Sequence, residues 1–310
     1  MATNPPDARR RRYERSPSPG ALVALTPTKI WMLRYLSEMR FLSLPQLARL
    51  CCPSGRKDLS EKRARRHMRE LFDAGLVDVL PVCRAALAPP GSPNDASLLY
   101  GSAPNVYAPT REGLGLLLRA GLIGEETVKR LAPAYGPRNG LFLAHELGVR
   151  DVRVWLEAAA RGGGHEVERW HDGEEAVIPL ERPQPMRAVR PDAWFVYRVA
   201  TVVLVGLVEV DRGTERGERR WREKLDVYSA LFAGRDLTRT TGYRNARVLV
   251  LCPDTRRRDG LCQAVAEAVG PLAARFWVTE QAALEDPDLC NPLWLQPGRT
   301  GLHPLLPGPS

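Results

Sequence analysis

Three carboxylates near the ends of two predicted strands could do chemistry together. Asp192 follows Pro191 at the start of one apolar stretch, and Glu209 lies at the end of the next, TVVLVGLVEVD. Because side chains alternate along a strand, Glu209 and Asp211 should share one face and Val210 the other. Two carboxylates at the end of an apolar strand are costly unless a positive charge meets them. Mg²⁺ favours a few carboxylates plus waters and phosphate oxygens, so the pattern predicts metal-dependent phosphodiester chemistry.

Three polar side chains of the second half lie on predicted helices. Lys224 is the one lysine after residue 140, and Tyr228 follows it by four positions. A helix places residues with this spacing on one face. His145, with Glu146 beside it, lies on an amphipathic stretch that predicts a helix over 141–162. The helices predicted to carry them precede and follow the strands that carry the three carboxylates.

Each candidate also has an ordinary structural interpretation. Asp192 could form a turn after proline, and the Glu209 pair could be a salt-bridged strand end near Arg212. His145 could be a hydrogen-bonded histidine on a mostly buried helix face, and Lys224 could be a surface lysine. The sequence leaves both interpretations open for every one of them.

The elements expected after residue 140 follow the order α-β-β-β-α-β-α-β. This order, with Asp192 and Glu209 on its strands, resembles the core of the PD-(D/E)xK nuclease superfamily. That superfamily has a lysine two positions after the glutamate, where this chain has Asp211. The KLDVY segment resembles the RecB-like branch, and this resemblance implies Lys224 and Tyr228 as catalytic residues with Asp192, Glu209 and Asp211. It also implies His145 as a metal ligand beside the three carboxylates.

Formal charge is unevenly distributed along the chain. The 310 residues carry 45 basic and 36 acidic side chains, a net charge of +9. Up to Gly140 there are 22 basic and 12 acidic residues, and after it 23 and 24. The first half is therefore expected to bind a polyanion, and the second half has no general attraction for one. A hydrophobic content of 44% excludes disorder as the default state.

The first half predicts three helices followed by a two-stranded ribbon. The first helix would be capped by Thr26 or Thr28, and the second by Ser43. The third, a basic helix, would open at Ser60 and end at Gly75. The segments VDVLPV and PNVYAPT would form the two strands. This order is typical of a winged helix-turn-helix, with the third helix in the major groove.

Basic residues of this half are the expected contacts with double-stranded DNA, through phosphates or guanine edges. They lie in an N-terminal arm, before the third helix and on it: Arg9, Arg10, Arg11, Arg12, Arg56, Lys57, Lys62, Arg63, Arg65, Arg66 and Arg69. The alternative is a solvated basic helix in a small helical bundle.

Together the motifs resemble the replication-relaxation family. They are a winged helix followed by H-E-L-G-V-x-D-V, R-P-D-A, E-V-D-R-G-T-E and K-x-x-x-Y, and they cover about residues 25–280. The resemblance implies a DNA-binding protein of a plasmid or other mobile element. Such a protein would act in control of replication and carry a nuclease-like C-terminal domain.

The expected fold class is α+β and α/β, with an N-terminal winged helix-turn-helix followed by a PD-(D/E)xK (restriction-endonuclease-like) α/β domain. The expected bounds are a disordered basic arm over 1–24, the DNA-binding domain over 25–120, a connector over 121–140, the nuclease-like domain over 141–285 and a poorly ordered Pro/Gly-rich tail over 286–310. No stretch approaches the ~20 apolar residues of a membrane span, and no apolar segment follows the basic start. We therefore expect a cytoplasmic protein without a membrane partner.

Two other functions stay open at this point. One is an active endonuclease that depends on Mg²⁺ or Mn²⁺. The other is a winged-helix transcriptional regulator whose nuclease-like domain is catalytically dead and serves for dimerisation or ligand sensing. A homodimer is compatible with each of them.

Overall fold

The chain is described by a computed structural model over residues 14–15, 24–82, 87, 103–131, 140–181, 188–213 and 218–307. These residues form two compact units. The first contains the described residues up to 82 and from 103 to 131, and the second contains Leu87 and the residues from 140 onward. The fold is mixed α+β with one large mixed sheet, which confirms the coarse fold class.

The first unit has short helices packed on a small sheet. Its elements are α1 (Pro27–Met39), β1 (Leu42–Ser43), α2 (Leu44–Cys51), α3 (Lys57–Asp73), β2 (Val77–Leu80), β3 (Val106–Pro109), α4 (Arg111–Arg119) and α5 (Glu125–Leu131). The strand order is β1-β3-β2, and both pairs are antiparallel. Met32, Leu47, Met68 and Leu114 are fully buried, so α1 to α4 share one core.

Local capping explains where these helices begin. Ser43 accepts a hydrogen bond from the Gln46 amide, and the Gln46 side chain accepts one from the Ser43 amide. This reciprocal pair is a capping box and confirms the predicted start of α2. The predicted start of α3 at Ser60 is wrong, because α3 begins one turn earlier at Lys57. Asp58 favours the first turn, where the helix dipole is positive, and the Ser60 hydroxyl donates to the carbonyl of Arg56.

Local signals predicted the end of α3 but not the strand β1. Gly75 follows α3 with φ of 76°, a left-handed conformation that ends the helix as predicted. The strand β1 was not predicted, and its two residues pair with Tyr107 and Val106 of β3. Two residues are too few for a detectable alternation of hydrophobicity.

The second unit is built around a seven-stranded sheet. Its elements are α6 (Gly140–Gly163), β4 (Glu166–Asp172), β5 (Ile178–Pro179), β6 (Ala188–Val189), β7 (Ala193–Val199), β8 (Val202–Val210), α7 (Glu218–Ala233), α8 (Asp236–Thr241), β9 (Arg247–Cys252), α9 (Thr255–Val269), β10 (Phe276–Glu280), β11 (Trp294–Leu295) and β12 (Leu302–His303). The strand order is β12-β11-β10-β9-β8-β7-β4, with β5 and β6 paired separately. The strands β8, β9 and β10 are parallel, and the other neighbours in the large sheet are antiparallel.

Side chains of the central strands enter two apolar clusters, one on each face of the sheet. Val205 and Leu207 of β8 pack in a cluster with residues of α7 and α9. Leu204 and Val208 pack in the other cluster with residues of α6. The strand β8 is therefore covered by helices on both faces, which explains its nearly uninterrupted apolar sequence.

The expectation of a poorly ordered tail over 286–310 is wrong for its described residues, which reach 307. Trp294 is fully buried, and Leu305 and Leu306 are nearly so. The strand β11 extends the sheet from β10, and β12 forms its edge. Burial of large apolar side chains outweighs the ordering entropy that the prolines and glycines suggested.

None of the described helices is long and apolar enough to cross a membrane.

Candidate functional site

The candidate site lies at the carboxyl end of β8, and its centre is Glu209. The Glu209 side chain is 1% exposed, and the residue pairs with Val250 of β9. Its Oε2 accepts a hydrogen bond of 2.6 Å from Lys224 Nζ, and its Oε1 accepts one of 2.6 Å from the Tyr228 hydroxyl. Both donors lie on α7, one turn apart, so the spacing predicted from the sequence brings both to the glutamate.

Burial sets the protonation of this group. It raises the pKa of Glu209 to about 7, against the opposing effect of the Lys224 ammonium. Burial also raises the pKa of Tyr228 well above its usual value, and the Glu209 charge adds to this effect. Tyr228 therefore stays a neutral hydroxyl donor to Glu209.

Asp192 and His145 form a second pair beside Glu209. Asp192 precedes β7, and its amide donates to the carbonyl of Val208. Its Oδ2 accepts a hydrogen bond of 2.7 Å from the Val210 amide and lies 3.2 Å from His145 Nε2. The negative charge of Asp192 raises the pKa of Glu209, so the two carboxylates are electrostatically coupled. We call Glu209, Lys224, Tyr228, Asp192 and His145 the Glu209 cluster.

The pKa of His145 reflects its contact with Asp192. Burial lowers it, but the hydrogen bond to Asp192 and the charge of that carboxylate outweigh burial, and the net shift is upward. A histidine with a raised pKa next to a carboxylate favours the charged pair.

The position of His145 depends on the close packing of α6 against β8. At Gly148, one turn after His145, a Cβ atom would lie 2.8 Å from Cγ1 of Val210. Only glycine allows this approach. Arg150, one turn after Glu146, is buried, and its guanidinium lies 3.0 Å from Glu146 and 3.7 Å from Asp172. Sequence reasoning missed Arg150, because its partner Asp172 comes from β4.

Asp211 lies on the predicted face but has its own partners. Its amide donates to the carbonyl of Leu251, and its side chain accepts from the Gly213 amide. Its Oδ2 also accepts hydrogen bonds of 2.7 Å from both Trp221 Nε1 and Arg257 Nη2. Like Glu209, Asp211 therefore faces α7 and α9, as alternation predicted. Its described contacts do not include the Glu209 cluster, and sequence reasoning missed both Trp221 and Arg257.

The donors for a divalent cation are fewer than the sequence suggested. Among the described residues, no three His, Cys, Asp or Glu side chains come together as a metal-binding group. Asp192 and Glu209 supply two coupled carboxylates, which is the number that Mg²⁺ commonly takes from a protein, with waters in the other positions. Because both oxygens of Glu209 already accept hydrogen bonds, a cation there would compete with Lys224.

The predicted DNA contacts on α3 differ in their environment. Lys62, Arg63, Arg65 and Arg66 are exposed and form no ion pair with any residue that the structure describes. They lie opposite the buried positions Ser60, Ala64, Met68 and Leu71 of the same helix.

Two of the other predicted contacts have ion-pair partners. Arg56 pairs with Asp58, and Arg69 pairs with Asp73 while its guanidinium lies over the Phe72 ring. Lys57 is exposed at the start of α3. The predicted contacts Arg9, Arg10, Arg11 and Arg12 lie outside the described residues.

The chain was compared with protein families, curated proteins and solved structures. The family model described as replication-relaxation matches residues 33–245, from α1 to the residues just before β9. No curated protein and no solved structure matches the chain. The match covers more than half of the chain, and it includes the basic helix α3 and all of the Glu209 cluster. The chain therefore belongs to the replication-relaxation family.

Proposed function

We propose that this protein binds double-stranded DNA through its first unit and acts in the replication of a plasmid or other mobile element. The family match supports the role in replication. The observation that carries the DNA-binding proposal is the row of exposed side chains Lys62, Arg63, Arg65 and Arg66 on α3. These four cations on one helix face form no ion pair with a described residue and are available to neutralise phosphates.

The surrounding elements support a winged helix-turn-helix. The helices α1, α2 and α3 precede the antiparallel pair β2 and β3, which is the element order of that motif. In this arrangement α3 is the helix that enters the major groove, and the ribbon lies beside it. The apolar face of α3 is used by the core, so the basic face is the one left for a partner.

Salt dependence of duplex binding tests the proposal. Each phosphate contact contributes a slope of about −0.9 to the plot of log affinity against log salt concentration. Changing Lys62, Arg65 and Arg66 together to alanine should therefore weaken binding and reduce the slope by up to about 3. The matched control is Arg119→Ala, because Arg119 is equally basic and exposed but pairs with Glu112 on α4.

Two results would contradict the proposal. One is an affinity of the wild-type protein that does not change between low and physiological salt. The other is a reduction of the slope by Arg119→Ala that is one third of that by the triple variant, since each lost charge would then count equally wherever it lies.

A second candidate function is metal-dependent DNA cleavage by a PD-(D/E)xK-like second unit. The observation that favours it is the Glu209 cluster, which unites two carboxylates, a lysine, a tyrosine and a histidine at one end of the sheet. Asp192 and Glu209 would hold Mg²⁺ or Mn²⁺, which supplies Lewis-acid stabilisation of the phosphate when bound. Tyr228 would fix Glu209, and the Lys224 ammonium would meet negative charge on the phosphate.

A plasmid assay distinguishes this candidate from a regulator with a catalytically dead domain. If the unit is a nuclease, Mg²⁺ or Mn²⁺ supports cleavage of supercoiled plasmid, and Asp192→Asn and Glu209→Gln each abolish it. The control Glu280→Gln should keep the activity, because Glu280 ends β10, which β9 separates from β8, and pairs with Arg258 outside the cluster. Absence of cleavage with either metal, together with a palindromic footprint on DNA, would instead support the regulator.

A further inference from the structure

We propose that Asp211 and Trp221 are positioning residues that hold the Lys224 ammonium against Glu209. Asp211 occupies the place where the PD-(D/E)xK pattern has its lysine, and the structure gives this aspartate a different task. The inference rests on the proposed nuclease-like character of the second unit for its functional meaning. Its geometry and its test stand without any cleavage reaction.

Trp221 contacts both Asp211 and Lys224. It lies on α7 one turn before Lys224, and its indole is 5% exposed. Its Nε1 donates a 2.7 Å hydrogen bond to Asp211 Oδ2, which fixes the ring relative to the end of β8. The Lys224 Nζ lies 5.4 Å from the centroid of the Trp221 ring, within the range of a cation–π interaction.

The contacts of Asp211 with the sheet and with α9 allow it to position the Trp221 ring. It is 7% exposed, its amide donates to the carbonyl of Leu251 on β9, and its carboxylate accepts from Gly213, Trp221 and Arg257. The guanidinium of Arg257 forms an ion pair with Asp211, with 2.7 Å between Nη2 and Oδ2. Because Asp211 is tied to the sheet and to α9, it transmits their position to the Trp221 ring on α7.

Lys224 needs such support. Its side chain is 35% exposed, and a lysine carries its charge on a flexible four-carbon stem with strong hydration. The Glu209 side chain is almost completely buried. The Lys224 ammonium can therefore pair with it only if the lysine side chain is held next to the carboxylate. The indole face next to Lys224 limits where its Nζ can go, so the 2.6 Å contact with Glu209 is favoured over solvent.

Lysine labelling measures this positioning directly. Lys224 is one of five lysines and the only one after residue 140, so mass spectrometry after mild reductive dimethylation reports on it separately. In Trp221→Leu we expect the labelling rate of Lys224, relative to exposed Lys62, to rise about threefold, as loss of a modest cation–π contact implies. The matched control is Trp277→Leu, since Trp277 is a similarly buried tryptophan that contacts Arg247.

A second pair of variants decides the role of Asp211. Asp211→Asn keeps an oxygen acceptor for the Trp221 indole and should leave Lys224 labelling within twofold of wild type, whereas Asp211→Ala should raise it as Trp221→Leu does. This pair also decides the question if Trp221→Leu fails to fold, which circular dichroism would reveal. An unchanged Lys224 rate in Trp221→Leu or Asp211→Ala, or an equal rise in Trp277→Leu, would overturn the proposal. The labelling requires neither DNA nor metal, so failure of the nuclease candidate would appear separately, in the plasmid assay.

Discussion

Replacing Gly148 with alanine tests whether the close approach of α6 to β8 is essential. A Cβ at this position would lie 2.8 Å from Cγ1 of Val210, closer than side-chain carbon atoms approach in folded proteins. Val210 is a buried β-branched residue with little freedom to rotate, so the helix itself must shift. The variant should therefore be destabilised, although alanine is the better helix former.

The magnitude follows from two opposing effects. Exchange of an interior helical glycine for alanine stabilises by about 0.5–1 kcal/mol. Insertion of a carbon into a filled space costs about 1–3 kcal/mol. The net change for Gly148→Ala is a loss of up to about 2.5 kcal/mol. Each kcal/mol corresponds to about 2–4 °C in Tm for a unit of this size.

Gly260→Ala provides the matched control. Gly260 also lies within a helix of the second unit, α9, but a Cβ there would meet no atom within 4 Å. This variant should gain about 0.5–1 kcal/mol. The free energy of unfolding should therefore fall in Gly148→Ala and rise in Gly260→Ala, which chemical denaturation and thermal melting measure.

A double variant tests whether the contact with Val210 causes the destabilisation. In a Val210→Ala background the obstructing methyl groups are absent, so Gly148→Ala should become stabilising, as Gly260→Ala is. If Gly148→Ala stabilises the wild-type protein as much as Gly260→Ala does, the close contact is not a constraint and the reasoning fails. Movement of α6 would also carry His145 away from Asp192, which lies 3.2 Å from it.

Three more predictions follow from contacts described above. Because the pKa of Glu209 is raised from 4.5 to about 7 in the folded protein, the folded state binds more protons in this range, and the free energy of unfolding should fall as pH rises from 4.5 to 7. Glu209→Gln should flatten this dependence, as measured by urea denaturation in EDTA, and a curve as steep as that of wild type would contradict it. Arg150→Met should lower the free energy of unfolding by about 3 kcal/mol, because two carboxylates lose a buried partner; a loss below 1 kcal/mol would show that they are solvated without it. Ser43→Ala should lower the free energy of unfolding by about 1 kcal/mol in thermal melts, because the Ser43 side chain caps α2. Thr26→Ala should leave it almost unchanged, because the Thr26 side chain forms no capping hydrogen bond. Equal losses of stability would show that the Ser43 cap does not stabilise α2.

Features that depend on neighbouring residues could be predicted from the sequence. The start of α2 after Ser43 and the end of α3 at Gly75 depend on a few adjacent residues, and the structure confirms both predictions. The placement of Lys224 and Tyr228 on one face of α7 follows from helical periodicity. Their contact with Glu209 was an expectation from resemblance to a nuclease family, and the geometry agrees with it.

Features that depend on distant parts of the chain could not be predicted. Arg257, the ion-pair partner of Asp211, is 46 positions away and reaches it only because β9 lies beside β8. Asp172 meets Arg150 across a similar packing of α6 on β4. The strands β11 and β12 have two residues each, which gives no periodicity, and burial of Trp294 among prolines and glycines appears only in the folded sheet.

The position of β9 determines which fragments of this protein can be expressed in folded form. The segment matched by the family model ends at residue 245, and β9 begins at Arg247. A fragment cut at those limits would retain every residue of the Glu209 cluster but lose the strand that pairs with β8. The apolar β8 would then become an exposed sheet edge, which promotes aggregation. The segment defined by shared ancestry is thus shorter than the segment that can fold, and expression trials should extend through Leu306.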